Sequence, residues 1–445
     1  MTRRSSVRVL LHMGLLALTY VLGAEIGLRL ALENRNVTAL WPPTGIAVAA
    51  LVLGGIRLWP GVAIGALVAN LLNDAPASTA AAITVGNTIA PVVAAALLTK
   101  VLKLRTTLDR VRDVLLLFVV GGFGAMLISA TAGTFALIAT DAAGTSSPFS
   151  IFIVWWVGDA IGVVLFAPLI LLVSHARQTV PVVKQPLEWV ALITVTALTG
   201  LAVFNVQLPI VFLVFIPAVW AALRFEQIGA AAVTLALTVI AIAETVSGDG
   251  PFIFLSPTEN LISIQTFNAS IAFLSLTLAA LMSRRRRAED LLRASEERFR
   301  TLFEQASDVV CIHDSDGRLS YANAAAESVT GFSRERLLTM NIVELVAPED
   351  VRVMRRMNER LLEGRAESTT YDVAVVSTTG RRVAVEVKGT VVMDDGQPIG
   401  VQLIGRDVTS RKAAEDELRH QALYDGLTSL PNRTLLQERL GYAVT

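Results

Sequence analysis

Charge is dealt unevenly along this chain. Residues 1–283 hold 26 Lys, Arg, Asp and Glu, and the remaining 162 positions hold 50. The totals balance at 38 basic and 38 acidic, so the division concerns environment and not sign. In the first part, long apolar runs follow one another with short polar breaks, near 9–31, 41–56, 58–72, 80–99, 113–138, 151–173, 188–204, 208–223, 228–246 and 261–282. A helix needs about 20 residues to cross the hydrocarbon of a bilayer. The pattern therefore predicts a polytopic α-helical membrane bundle. The second, third and eighth runs are short, which leaves eight to ten spans. All six tryptophans (Trp41, Trp59, Trp155, Trp156, Trp189, Trp220) fall in this part.

The bases set an orientation. With the N-terminus inside (Arg3, Arg4, Arg8), the other inside segments carry Arg57; Lys100, Lys103, Arg105, Arg110 and Arg112; Arg177 and Lys184; Arg224; and Arg284 to Arg287. The outside loops carry Arg35 alone among bases. By the positive-inside rule the N-terminus and the C-terminal half are expected in the cytoplasm, which requires an even number of spans. A cleaved signal peptide over residues 1–24 is the rival reading, disfavoured because the apolar run continues into an intact bundle. The single cysteine, Cys311, excludes a disulfide or a cysteine-based metal site within the chain. Zero net charge gives no reason to expect nucleic acid as a partner.

A few polar groups sit where lipid makes them costly. Glu25 and Arg29 are four apart, on one helix face, within reach of pairing. Asp159 lies in the run FIVWWVGDAIGVVLFAPLILLV, and Asn70 and Asn87 lie in or near spans. One reading is a ligand or ion site inside the bundle. The other is interhelical glue, favoured for Asn70 and Asn87, with Asp159 open between the two.

Here the sequence is similar to a known family. NVTALWPPTGIAVAALVLGGIRLWPGVAIGALVANL (36–72), GNTIAPVVAAALL (86–98), WWVGDAIGVVLFAPLILL (155–172) and FIPAVWAALRFEQIGAAAVTLAL (215–237) resemble the first class of MASE, an integral-membrane sensor domain of bacterial signalling proteins. The resemblance implies residence in the bacterial cytoplasmic membrane and an input role with an unassigned small-molecule or membrane stimulus. It marks Trp41, Pro42, Pro43, Gly45 and Asp159 as hallmark positions without giving them a chemistry. Pro42 and Pro43 suit the start of a helix, since they lack the amides that a first turn leaves unsatisfied.

Residues 284–306 leave the membrane as a predicted signalling helix, with an apolar stripe of Leu291, Leu292, Ala294, Phe299 and Leu302 and an arginine cluster suited to anionic headgroups. Residues 307–409 read as an α+β domain with an antiparallel sheet. Strands are predicted at 308–314, 318–323, 369–377, 381–392 and 398–409, with short helices over 324–338 broken at Gly331 and a longer helix over 348–364. Tyr321-Ala-Asn323, Gly331-Phe332, Pro348-Glu349-Asp350 and the closing Asp407-Val408-Thr409 resemble a PAS domain. No haem or flavin is expected in it. Cys311 sits mid-strand and not in the helix motif of a light-sensing flavin domain, the longer helix carries no histidine, and His313 reads as a polar residue at a strand end.

After a predicted amphipathic helix over 410–423, Asp425-Gly-Leu427-Thr428 and Leu430-Pro-Asn432-Arg433 match the opening of GGDEF domains, the diguanylate cyclases. Residues 424–445 are thus expected to be the first piece of an α/β GGDEF domain. That resemblance implies Mg²⁺ and GTP as requirements of a completed domain, with two GTP joined into cyclic di-GMP. The string GGDEF or GGEEF is absent, so these 445 residues are expected to be inactive alone and part of a longer protein. Partners expected are membrane lipids and a second copy, paired through the linker helices and the PAS domain. A sensor histidine kinase (His420 as phosphoacceptor) and a non-enzymatic membrane sensor are the alternative outputs.

Overall fold

The computed structural model describes residues 3–29, 40–141, 147–179, 186–206, 210–253, 257–394, 396–424, 430 and 432. The chain divides into two compact units, Met1–Glu289 and Asp290–Thr445.

The first unit is helical. Its elements are α1 (Arg3–Arg29), α2 (Pro42–Gly54), α3 (Trp59–Leu72), α4 (Ala77–Ala96), α5 (Val111–Leu116), α6 (Met126–Ala139), α7 (Pro148–Thr179), α8 (Pro186–Phe204), α9 (Phe215–Ser247) and α10 (Pro257–Glu304). Seven helical stretches among the described residues are long and apolar enough to cross a membrane. Two expected spans fall short of that: α2 and α3 have 13 and 14 residues, about 20 Å of helix against roughly 30 Å of hydrocarbon. Two others, 208–223 and 228–246, fall on the two helices of the stretch α9, which meet at a non-helical residue, Glu226 (φ 54°, ψ −146°). Between α5 and α6 the helix continues through a wider π-helical turn, Leu117–Gly124.

Lipid explains the outer face. Along α1, Leu11, Leu15, Leu18, Leu22 and Ile26 recur at helical spacing and are all more than half exposed, a stripe that water would not tolerate at this size. The opposite face of α1 buries Leu16, Tyr20 and Ala24 against α2 and α3. A second, larger core joins α2, α4, α7, α8, α9 and α10. Because lipid tails are as apolar as leucine, helices here gain from close backbone approach. Gly45 of α2 and Gly162 of α7 show it: a Cβ on Gly45 would stand 2.1 Å from the Gly162 carbonyl oxygen, and one on Gly162 2.1 Å from that of Trp41.

The second unit holds a five-stranded antiparallel sheet in the order β2-β1-β5-β4-β3, from β1 (Val309–Asp314), β2 (Leu319–Ala322), β3 (Ser368–Val376), β4 (Arg382–Asp394) and β5 (Gln397–Asp407). Helices α11 (Ala324–Thr330), α12 (Arg334–Leu337) and α13 (Val351–Leu362) lie between β2 and β3 in sequence. Gly331 ends α11 in the left-handed region (φ 75°), where a side chain is disfavoured. Asn323 ties the front of this domain together. Its Oδ1 accepts from Val310 N (2.9 Å) and Ala326 N (3.0 Å), and its Nδ2 donates to the carbonyls of Phe303 (3.1 Å) and Asp308 (3.0 Å). At the far end Thr409 N donates to Asp407 Oδ1 (2.9 Å), and Thr409 Oγ1 accepts from Ala384 N (3.1 Å). These bonds fasten the start of α14 (Thr409–Leu423) to β4.

Candidate functional site

The hallmark positions converge on one place in the bundle. Trp41 precedes α2 without a side-chain cap, and its amide donates instead to the Gly158 carbonyl of α7 (3.3 Å). Pro42 and Pro43 fill the first helical positions, where missing amides cost nothing. The resulting start of α2 places Thr44 over α7, and Thr44 Oγ1 donates to Asp159 Oδ1 at 2.5 Å. Gly45 and Gly162 allow the approach.

Around Asp159 the surroundings are polar but uncharged. Ser129 and Trp155 lie beside the carboxylate, and Tyr20 of α1 is within its electrostatic reach. Trp155 Nε1 donates to Ser129 Oγ (3.2 Å), and Ser129 Oγ donates to Asn87 Oδ1 (2.8 Å), linking α7, α6 and α4. Asp159, Ser129 and Tyr20 are each 1% exposed. Among the described residues, Asp159 Oδ2 and Tyr20 Oη have no hydrogen-bond partner. An unpaired buried polar atom is costly, and a buried carboxylate without a cation more so. Such a site favours whatever brings a proton, a cation or a hydrogen-bond donor. A cleft of about 60 Å³ lies nearby, lined by Trp41, Asn70, Asn73, Thr79, Ile83 and Leu137 among others. No group of three or more His, Cys, Asp or Glu suited to a metal occurs among the described residues.

Other expected site residues stand elsewhere. Glu25 does not pair with Arg29. Its Oε1 receives Asn73 Nδ2 of α3 at 3.5 Å, while Arg29 ends α1 exposed. Asn70 donates to the Ala66 carbonyl of its own helix (2.8 Å). The expectations missed Tyr20, Thr44 and Ser129. Only Tyr20 had a signal, as the single tyrosine of the first 283 residues.

In the second unit, the helices and sheet enclose a small apolar cavity of about 50 Å³, lined by Cys311, Leu337, Met354, Tyr371, Val385 and Leu403 among others. Burial pushes the Cys311 thiol up to about 12 and holds the Tyr371 hydroxyl well above its usual range. His313 stands next to last in β1 and is buried there. It is 2% exposed, with Nδ1 bonded to the Asp314 carbonyl (2.7 Å) and Nε2 to Asn358 Nδ2 of α13 (3.0 Å). His420 stacks on Tyr424 at 4.4 Å between ring centres. Of the GGDEF-like opening, Asp425, Leu427, Thr428 and Arg433 lie outside the described residues. Leu430 is 63% exposed, and Asn432 caps the end of α14 through the carbonyls of Ala422 (2.7 Å) and Leu423 (2.8 Å).

Both parts of the chain match known families. The MASE1 family model matches residues 12–286, and the PAS fold model residues 297–408. The probable diguanylate cyclase DgcE of Escherichia coli K12 is 24% identical over 419 residues, 91% of this chain and 37% of that protein. A methyl sulfide methyltransferase-associated sensor of Methanosarcina acetivorans is 31% identical over 141 residues, 31% of this chain and 14% of its own length. The chain thus spans well under half of these relatives. Among solved structures, a PAS domain from Colwellia psychrerythraea is 20% identical and covers 26% of this chain and 98% of its own, with a TM-score of 0.25. The chain belongs to the MASE1 family of integral membrane proteins and carries a PAS domain behind its bundle.

Proposed function

We propose that this chain is the input half of a membrane-bound diguanylate cyclase. The observation that carries the reading is the alignment of 91% of the chain with the probable diguanylate cyclase DgcE, continued by the Asp425 to Arg433 motif after α14. In this reading the Asp159 cluster receives a small-molecule or membrane stimulus. The PAS domain and α14 relay it to a GGDEF domain, which with Mg²⁺ joins two GTP into cyclic di-GMP. The bias of Lys and Arg supports a cytoplasmic N-terminus and a cytoplasmic second unit in the bacterial inner membrane.

Dimerisation belongs to the same reading. Leu291, Leu292, Phe299 and Leu302 of α10 are each at least 60% exposed, and Leu418 of α14 is 65% exposed. Stripes of this kind suit pairing with a second copy. The test is an immunoblot of native cells with an antibody against residues 300–410. The proposal expects a membrane band well above 47.6 kDa. A band at 47.6 kDa would leave the chain without a catalytic domain of its own, and the reading would fail.

A further inference from the structure

The loop from Leu102 to Arg110, the bend of α9 and the membrane exit of α10 meet in one network that the sensory reading does not use. Three non-glycine residues there adopt left-handed backbone: Lys103 (φ 52°), Leu108 (φ 49°) and Glu226 (φ 54°). Such conformations are uncommon outside glycine and persist only where the surroundings fix them.

Leu108 and Glu226 are held from a single stretch of little more than one turn on α10, Ser283 to Arg287. Ser283 Oγ donates to Gln227 Oε1 (3.2 Å), and Gln227 Nε2 donates to the carbonyl of Leu108 (3.5 Å). Arg286 Nη2 donates to the Leu223 carbonyl (2.5 Å), one of the acceptors near the bend of α9, and Arg286 Nη1 reaches Glu226 Oε1 (3.4 Å). Arg287 pairs with Asp109, whose other oxygen accepts from Thr107 Oγ1 (2.7 Å). Leu108, Asp109, Gln227 and Ser283 are all buried. Gly229, three residues past the break of α9, permits that break sterically, since a Cβ there would stand 2.3 Å from that of Phe225. Arg286 caps the break from the neighbouring helix.

We infer that Ser283, Arg286 and Arg287 form a clamp that holds the exit of α10 against the strained 103–109 loop and the α9 bend, and that opening this clamp is how the bundle releases α10. The strained turns and the position of α10 are then two faces of one equilibrium. If α10 slides or turns, Gln227 and Asp109 lose their partners and the left-handed residues lose what holds them. Packed interfaces of this kind switch between discrete arrangements and do not deform smoothly. The inference needs no particular output domain and no assumption about the stimulus.

The experiment uses the full chain in detergent, so that membrane sidedness does not enter. In a Cys311→Ser background, Ala280→Cys places the only thiol one turn before the clamp, at a position that is 1% exposed. The clamp predicts slow maleimide labelling there, at least tenfold faster labelling when Asp109→Asn is added, and a return toward the slow rate in the charge-exchanged pair Asp109→Arg with Arg287→Asp. Equal labelling with and without Asp109→Asn, or fast labelling of the parent, would overturn the inference. Hydrogen exchange gives a second readout that needs no added thiol. Asp109→Asn should speed exchange in 103–109 and 222–228 together while the α7 core around Gly162 stays protected. Faster exchange in one segment without the other would overturn it equally.

Discussion

Thr44 donates its hydroxyl to the carboxylate of Asp159 at 2.5 Å, across 115 positions of sequence and between two helices that touch backbone to backbone. It satisfies Oδ1 of Asp159, while Oδ2 is left without a partner among the described residues. Removing the Thr44 hydroxyl takes the short donor from a carboxylate in the bundle core, with Ser129 and Trp155 still beside it. Thr44→Val should therefore cost about 1–3 kcal/mol of bundle stability, and Thr44→Ser should recover most of it. Thermal unfolding of the detergent-solubilised chain checks this. Equal melting of Thr44→Val and the parent would count against the geometry.

The contact of α2 with α7 gives a steric prediction. Gly45→Leu or Gly162→Leu should abolish folded protein, because the first side-chain atom already stands 2.1 Å from a carbonyl oxygen. Gly14→Ala is the control, since nothing lies within 4 Å of its would-be Cβ; helix propensity makes it neutral or stabilising by up to ~1 kcal/mol. Yield of monodisperse protein separates the two cases.

Much of the architecture is legible before any coordinates. Apolar runs located the helices, and the alternation of Val383, Val385 and Val387 located a strand whose inward face is buried as expected. What escaped was set at long range. Around Glu226 only Gly229 hints at a break, and the capping partner Arg286 is 60 positions away. The i,i+4 spacing of Glu25 and Arg29 suggested a pair, yet Asn73 from another helix took Glu25. His313 could have been placed correctly: it shares strand parity with the buried Cys311, and both turn into the domain.

His313 supplies a pH prediction. Burial lowers its affinity for a proton below the ordinary 6.5, and Nε2 faces the donating amide of Asn358. The unfolded chain therefore binds the proton first as pH falls. Stability of the second unit should decline below about pH 6.5 and be insensitive to this group above it. Hydrogen exchange in β1 and α13, corrected for intrinsic rates, should show faster opening at pH 5.5 than at 7.5. His313→Gln should flatten that difference.

Cys311 should be a poor nucleophile. With its thiol pushed up from 9.0 to about 12, the thiolate population falls about a thousandfold at any pH well below both values. Maleimide should leave the native thiol largely unmodified at pH 7.5 and modify it fully in denaturant. Rapid modification of the native protein would contradict its place in the core.

We propose that this chain carries a signal to cyclic di-GMP synthesis. The most direct test is GTP turnover by membranes from cells that express the native polypeptide, compared with membranes from cells in which its gene is deleted. The account predicts Mg²⁺-dependent conversion of GTP to cyclic di-GMP that disappears with the deletion and changes when Asp159 is replaced by Asn. Autophosphorylation from ATP at a histidine, with no cyclic di-GMP formed, would contradict it.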